Sequence, residues 1–210
     1  AGRDVTVEDV APQVFTPGKK GSFQTDMLVA ARRNGRVAIP VRGMPDLLRE
    51  VAAGHPVIIF ENLAFRWYPK WHYALVLGYD FPEKEIILHD GNRARRRWSM
   101  KKFERSWMLT EYWGFTVLPP GELAATADDL AHAAAGAAFE RDGQSAAAEK
   151  VYRSVLAKWP HSLAALIGMG NIEYARGKYR ESVRYLRLAT EHHPESNAAR
   201  KNLETALAKL

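Results

Sequence analysis

Trp71-His72-Tyr73-Ala74-Leu75-Val76-Leu77-Gly78-Tyr79, followed by Glu85-Ile86-Ile87-Leu88-His89-Asp90-Gly91, decides how the first half of this chain folds. Within them Tyr73–Tyr79 and Glu85–His89 read as strands rich in Val, Ile and Leu, and Asp80, Pro82 and Glu83 between them suit a turn. They therefore predict an antiparallel hairpin. In such a hairpin His72, near the start of one strand, lies across from the end of its neighbour. A carboxylate there can reach the far imidazole nitrogen, fix the tautomer and support proton removal from a nucleophile. Two residues compete for that place. Strand alternation sends His89 and Asp90 to opposite faces, so only one of them can address His72. The chain has no cysteine, so a His–Asp pair stands without the thiol that would complete a cysteine-protease triad.

Working outward, Pro56–Asn62 and Trp113–Leu118 read as further strands. Val5–Pro12, Ser22–Asn34 and Met44–Ala53 read as helices. Ser22 or Thr25 can cap the second, whose Met27, Leu28, Ala30 and Ala31 share a face, and Gly54 ends the third. Helices first and a small antiparallel sheet afterwards indicate an α+β domain over residues 1–120. Trp67, Tyr68 and Trp71 form an aromatic wall before His72, suited either to packing or to lining a substrate cleft. Arg93, Arg95, Arg96, Arg97, Lys101, Lys102 and Arg105 form a basic cluster. It reads first as a solvated loop and helix face, with an acidic peptide or an anionic membrane surface as the alternative partner. Trp98 and Trp107 between these positions read as core anchors.

Composition sets outer bounds. The 210 residues are 47% hydrophobic and carry a formal net charge of +6. That is ordinary globular composition, and the charge alone does not point to nucleic acid. Absence of cysteine excludes disulfides and thiolate metal sites. His132, His161, His192 and His193 lack a consistent ligand spacing, so neither a metal nor a cofactor is called for. No apolar run reaches the length of a membrane span, and Ala1-Gly2-Arg3-Asp4-Val5 does not resemble a signal peptide.

After Pro119-Pro120-Gly121 the pattern changes. Residues 121–128 read as a linker, and from Asp128 the chain is alanine-rich with helical periodicity. Gly136, Gly143 and Pro160 recur as Gly170, Gly177 and Pro194, Tyr152 aligns with Leu186, and Ala148 aligns with Ser182. Three markers at one offset predict stacked helical hairpins. The segment resembles two tetratricopeptide repeats, 129–162 and 163–196, closed by a capping helix over 197–210. His132 stands where that family usually has a tryptophan or leucine. The resemblance implies a groove for a partner protein or peptide, and bracing of the first domain is the competing role.

The first domain also carries a resemblance. Phe15-Thr16-Pro17-Gly18-Lys19-Lys20-Gly21-Ser22-Phe23-Gln24-Thr25, Ala30-Ala31-Arg32-Arg33-Asn34-Gly35, Gly54-His55-Pro56-Val57-Ile58, Trp71 to Tyr79 and Leu88-His89-Asp90-Gly91 together resemble the bacterial C39-like peptidase domain. That family has a papain-like fold related to bacteriocin leader processing. The resemblance implies that His72 is the base, that Asp90 orients it, and that Trp67, Tyr68 and Trp71 border the substrate. The family's nucleophile lies in a Cys-Gly-Pro motif opening a helix, preceded by an oxyanion-hole glutamine. Neither is in this chain; Gln13 and Gln24 fall too late, and Ser22 belongs to a loop that is not opposite the base. Either the chain starts after that helix, or the domain has lost the nucleophile and kept its pocket. The expectation is a C39-related protein that hydrolyses peptide bonds only when a Cys-bearing segment is present. The alternative is a non-catalytic peptide-binding or assembly protein. Frequent export in the family implies a bacterial periplasmic or envelope location, with lipidation as one route.

Overall fold

The computed structural model describes residues 6–19, 21–91 and 93–210; the expected start of the first helix at Val5 lies outside them. The chain divides into two compact units. One comprises Ala1–Pro119 with Ala124–Thr126, the other Pro120–Leu123 with Ala127–Leu210.

In the first unit, helix α1 (Val7–Val14) is opened by a reciprocal cap. Thr6 Oγ1 accepts from Asp9 N at 3.2 Å, and Thr6 N donates to the Asp9 carboxylate at 2.9 Å. A two-residue ribbon, β1 (Phe15–Thr16) with β2 (Gly21–Ser22), leads into α2 (Gln24–Arg33). Neither Ser22 nor Thr25 caps α2: Phe23 occupies that position without a side-chain bond, because Ser22 is taken up in the ribbon. Then follow β3 (Val37–Val41), α3 (Gly43–Ala52), β4 (Val57–Asn62), β5 (Trp71–Asp80), β6 (Glu85–Asp90), β7 (Arg93–Ser99), α4 (Met100–Met108) and β8 (Gly114–Leu118).

The strands form a six-stranded antiparallel sheet in the order β3-β8-β4-β5-β6-β7. This is wider than the hairpin-based reading, since β3 and β7 join at the two edges. Both edges carry residues that discourage further pairing: Pro40 in β3 and the arginines of β7. One face buries Val57, Ile59, Ala74, Val76, Ile86, Leu88 and Trp98 against Leu47 of α3 and Phe103 and Trp107 of α4. Alternation along each strand supplies these residues, and it carries the same face onward to Glu61, His72 and Asp90.

The second unit is helical: α5 (Asp129–Arg141), α6 (Ser145–Lys158), α7 (Leu163–Ala175), α8 (Tyr179–His192) and α9 (Asn197–Leu207). The repeat is visible in matched geometry. Gly143 and Gly177 both turn the chain at φ 73°. A Cβ at Gly136 would lie 2.6 Å from Tyr152, and one at Gly170 would lie 2.6 Å from Leu186. Glycine at these places lets paired helices close on a large side chain. His132 is fully buried, its Nδ1 is 2.6 Å from Asp128 O, and its ring lies against Trp159. The imidazole is thus an interior packing group of the helical unit rather than an exposed ligand.

Candidate functional site

Four neighbouring strands set four ionisable side chains in a row at one end of the core-facing side. Glu61 of β4 pairs directly with His72 of β5. Leu75 pairs with His89 and Val76 with Leu88, so the same register carries Asp90 to the His72 side and His89 to the other. Leu88 pairs with Arg96, which places Arg96 next in the row.

His72 Nε2 lies 2.7 Å from Asp90 Oδ1, a close contact that lacks the alignment of a hydrogen bond. The other carboxylate oxygen, Oδ2, accepts from Arg96 Nη1. Asp90 is therefore shared between the His72 imidazole and a permanent cation. With Nε2 turned to Asp90, Nδ1 is the nitrogen left to face a reacting group. Of the basic cluster only Arg96 is partly buried; Arg93, Arg95, Arg97, Lys101, Lys102 and Arg105 are exposed, on strand β7 and helix α4. Arg96 serves Asp90, and Arg97 donates to Asp80 at 3.1 Å and to Glu85 at 2.8 Å. Trp98 and Trp107 are buried.

Glu61 and Arg96 are site neighbours that the sequence reading did not assign. Glu61 is fully buried, and its Oε1 has no hydrogen-bond partner. Its Oε2 lies 2.6 Å from Ser106 Oγ, which is also 2.8 Å from Phe103 O. One hydroxyl proton cannot serve two acceptors. A protonated Glu61 resolves this by donating to Ser106, which then donates to Phe103 O. Burial pushes the Glu61 carboxyl above its ordinary range and Asp90 adds to the effect, while the Ser106 bond and the charges of His72 and Arg96 oppose it. The signal was present in sequence: Val57, Ile59 and Glu61 share one strand parity, so a carboxylate follows two core residues.

A cavity of about 850 Å³ opens at this end of the sheet, lined by Gly21, Ser22, Phe23, Gln24, Phe60, Trp71, His72 and Tyr73. Phe60 stacks on Trp71 at 5.3 Å and packs on Tyr73 at 4.8 Å. Tyr73 donates its hydroxyl to Ser22 O at 3.1 Å, and burial followed by nearby Asp26 pushes the phenol up to about 12. Ser22 and Gln24 thus line the same cavity as His72, closer company than the sequence implied. Of the three expected cleft aromatics, Trp71 lines the cavity. Trp67 and Tyr68 instead stand on the loop between β4 and β5, 81% and 69% exposed, outside the lining. A tight turn with mutual Phe65 and Tyr68 backbone bonds holds them there. No group of three or more His, Asp or Glu among the described residues could hold a metal ion.

Comparison with known proteins fits this architecture. Residues 39–115 match the model of the Peptidase_C39 like family, and residues 141–209 match the tetratricopeptide repeat. The chain thus carries a C39-like peptidase domain followed by tetratricopeptide repeats, with no cysteine in its sequence. Among solved structures it is similar to the peptidase domain of Streptococcus ComA, a bi-functional ABC transporter involved in a quorum sensing pathway. That likeness has 17% identity, covers 56% of this chain and 81% of that one, and has a TM-score of 0.43. It is also similar to a putative C39-like peptidase from Bacillus anthracis, at 17% identity over 47% of this chain and 60% of that one, with a TM-score of 0.40. No curated protein matches.

Proposed function

We propose that the first unit is the base-bearing part of a cysteine-peptidase-type site. His72 is the proton acceptor, Asp90 orients it, and the thiol comes from a Cys-bearing segment outside the present sequence. The observation that carries this reading is the 2.7 Å contact of His72 Nε2 with Asp90 Oδ1 beside an open cavity. With a thiolate delivered near Nδ1, His72 would take the thiol proton, a thioester acyl-enzyme would form, and His72 would protonate the leaving amine. Without that thiol the chain binds peptide and does not cleave it by this route. The helical repeats supply a surface for a protein partner.

The test compares this chain with a form extended at its N-terminus by its native coding sequence. Peptide hydrolysis blocked by a thiol reagent is expected only from the extended form, and His72→Ala in that form should abolish it. An extended form that contains a cysteine and binds peptide yet leaves it intact would sink the catalytic reading. The second reading, a purely peptide-binding domain, is favoured by Arg96, which holds part of the Asp90 carboxylate.

A further inference from the structure

The loop between β4 and β5 presents a surface that the proposed chemistry does not use. Its sequence, Leu63-Ala64-Phe65-Arg66-Trp67-Tyr68-Pro69-Lys70, contains three aromatic residues, two cations and no acid. Phe65 is 58% exposed, Trp67 81% and Tyr68 69%. Phe65 and Trp67 stack at 5.8 Å with planes 11° apart, and Tyr68 adjoins Trp67 at 6.0 Å. Contiguous exposed aromatic surface of this kind marks an interaction site rather than ordinary surface scatter.

The backbone at the base of this tip is closed on itself. Phe65 N donates to Tyr68 O and Tyr68 N to Phe65 O, at 3.3 and 3.2 Å, and Leu63 N donates to Lys70 O at 2.9 Å. Asn62, almost fully buried, accepts from Ala64 N at 3.0 Å and Lys70 N at 2.9 Å, and donates to Phe65 O at 3.2 Å. A loop that docks by adding a strand to a partner needs free backbone groups. Here the N–H groups of Leu63, Ala64, Phe65, Tyr68 and Lys70 are already bonded within the loop, which disfavours that mode. Arg66 and Lys70 are exposed and have no ion-pair partner among the described residues. Trp and Tyr favour the headgroup level of a bilayer, and unpaired cations beside them favour anionic lipid.

We propose that Phe65, Trp67 and Tyr68 seat this unit on an anionic membrane surface, with Arg66 and Lys70 held at the headgroups. The assignment is independent of the His72 reading. Vesicle flotation tests it, using liposomes of phosphatidylcholine with phosphatidylglycerol and liposomes of phosphatidylcholine alone. The whole chain should float with the anionic vesicles. Trp67→Ala with Tyr68→Ala should weaken that partition by about ten-fold or more, and Arg66→Gln with Lys70→Gln should remove the preference for anionic lipid. All four side chains are exposed, so the variants should unfold at the wild-type temperature. A chain that stays with the aqueous phase, as expected of a tip that docks protein, overturns the proposal. So does unchanged flotation of the double aromatic variant, which would assign binding to another basic surface.

Discussion

At the scale of single residues, the charges of His72, Asp90 and Arg96 all act on the buried Glu61 carboxyl. A raised carboxyl pKa means that the folded state keeps a proton that the unfolded chain has released. The stability held below the ordinary carboxylate value, about 4.5 for Glu61, is therefore lost as pH rises through the folded value. Glu61→Gln removes this titration and keeps partners for Ser106 and Phe103 O. The variant should match wild type near pH 4 and be at least as stable at pH 7, as measured by urea unfolding at both pH values. A Gln variant that lost stability relative to wild type as pH rose would show that Glu61 is held ionised instead. Parity showed that only one of His89 and Asp90 can face His72; the resemblance pointed to Asp90, and the strand register puts Asp90 there. Arg96 was not legible, since a run of arginines hides the alternation that marks a strand.

At the scale of elements, the helical hairpins were read from glycine and proline spacing, and their closeness explains why that spacing works. At Gly170 a methyl group would press on Leu186, which is itself buried. Gly170→Ala should destabilise the second unit by about 1–2 kcal/mol, overpacking outweighing the better helix propensity of alanine. Adding Leu186→Ala should cost less than the sum of the two single changes, because the cavity of one accepts the methyl of the other. Chemical denaturation of all three variants checks this; simple additivity would separate the two sites. The edge strands show the opposite case. Pro40 in β3 and four arginines in β7 conceal strand character for the same reason that they suit an edge. Sequence pattern therefore exposed the middle of the sheet and hid its margins.

At the scale of the whole molecule, the segment between the units, read from sequence as a linker over 121–128, is partly structural. Ala124 is buried, and Thr126 donates to Glu50 Oε1 through its N–H at 2.7 Å and its hydroxyl at 2.6 Å. On the other oxygen, Glu50 Oε2 lies 2.7 Å from His55 Nδ1. Burial alone would raise the Glu50 carboxyl, but the bonds from Thr126, His55 and the Ala125 and Thr126 backbone outweigh it and lower the value. Stability from this group is present above the ordinary carboxylate range and fades as pH falls through the lowered folded value. Thr126→Val, which keeps the N–H and loses the hydroxyl, should cost about 1.5–3 kcal/mol at pH 7 and less in acid. Equal losses at pH 7 and pH 3 would refute the clamp. The obvious place to divide this protein, Pro119-Pro120-Gly121, is therefore the wrong one. A first-unit fragment ending there would carry Glu50 into its interior with half its partners left on the discarded piece, and its poor solubility could be mistaken for a property of the peptidase-like fold.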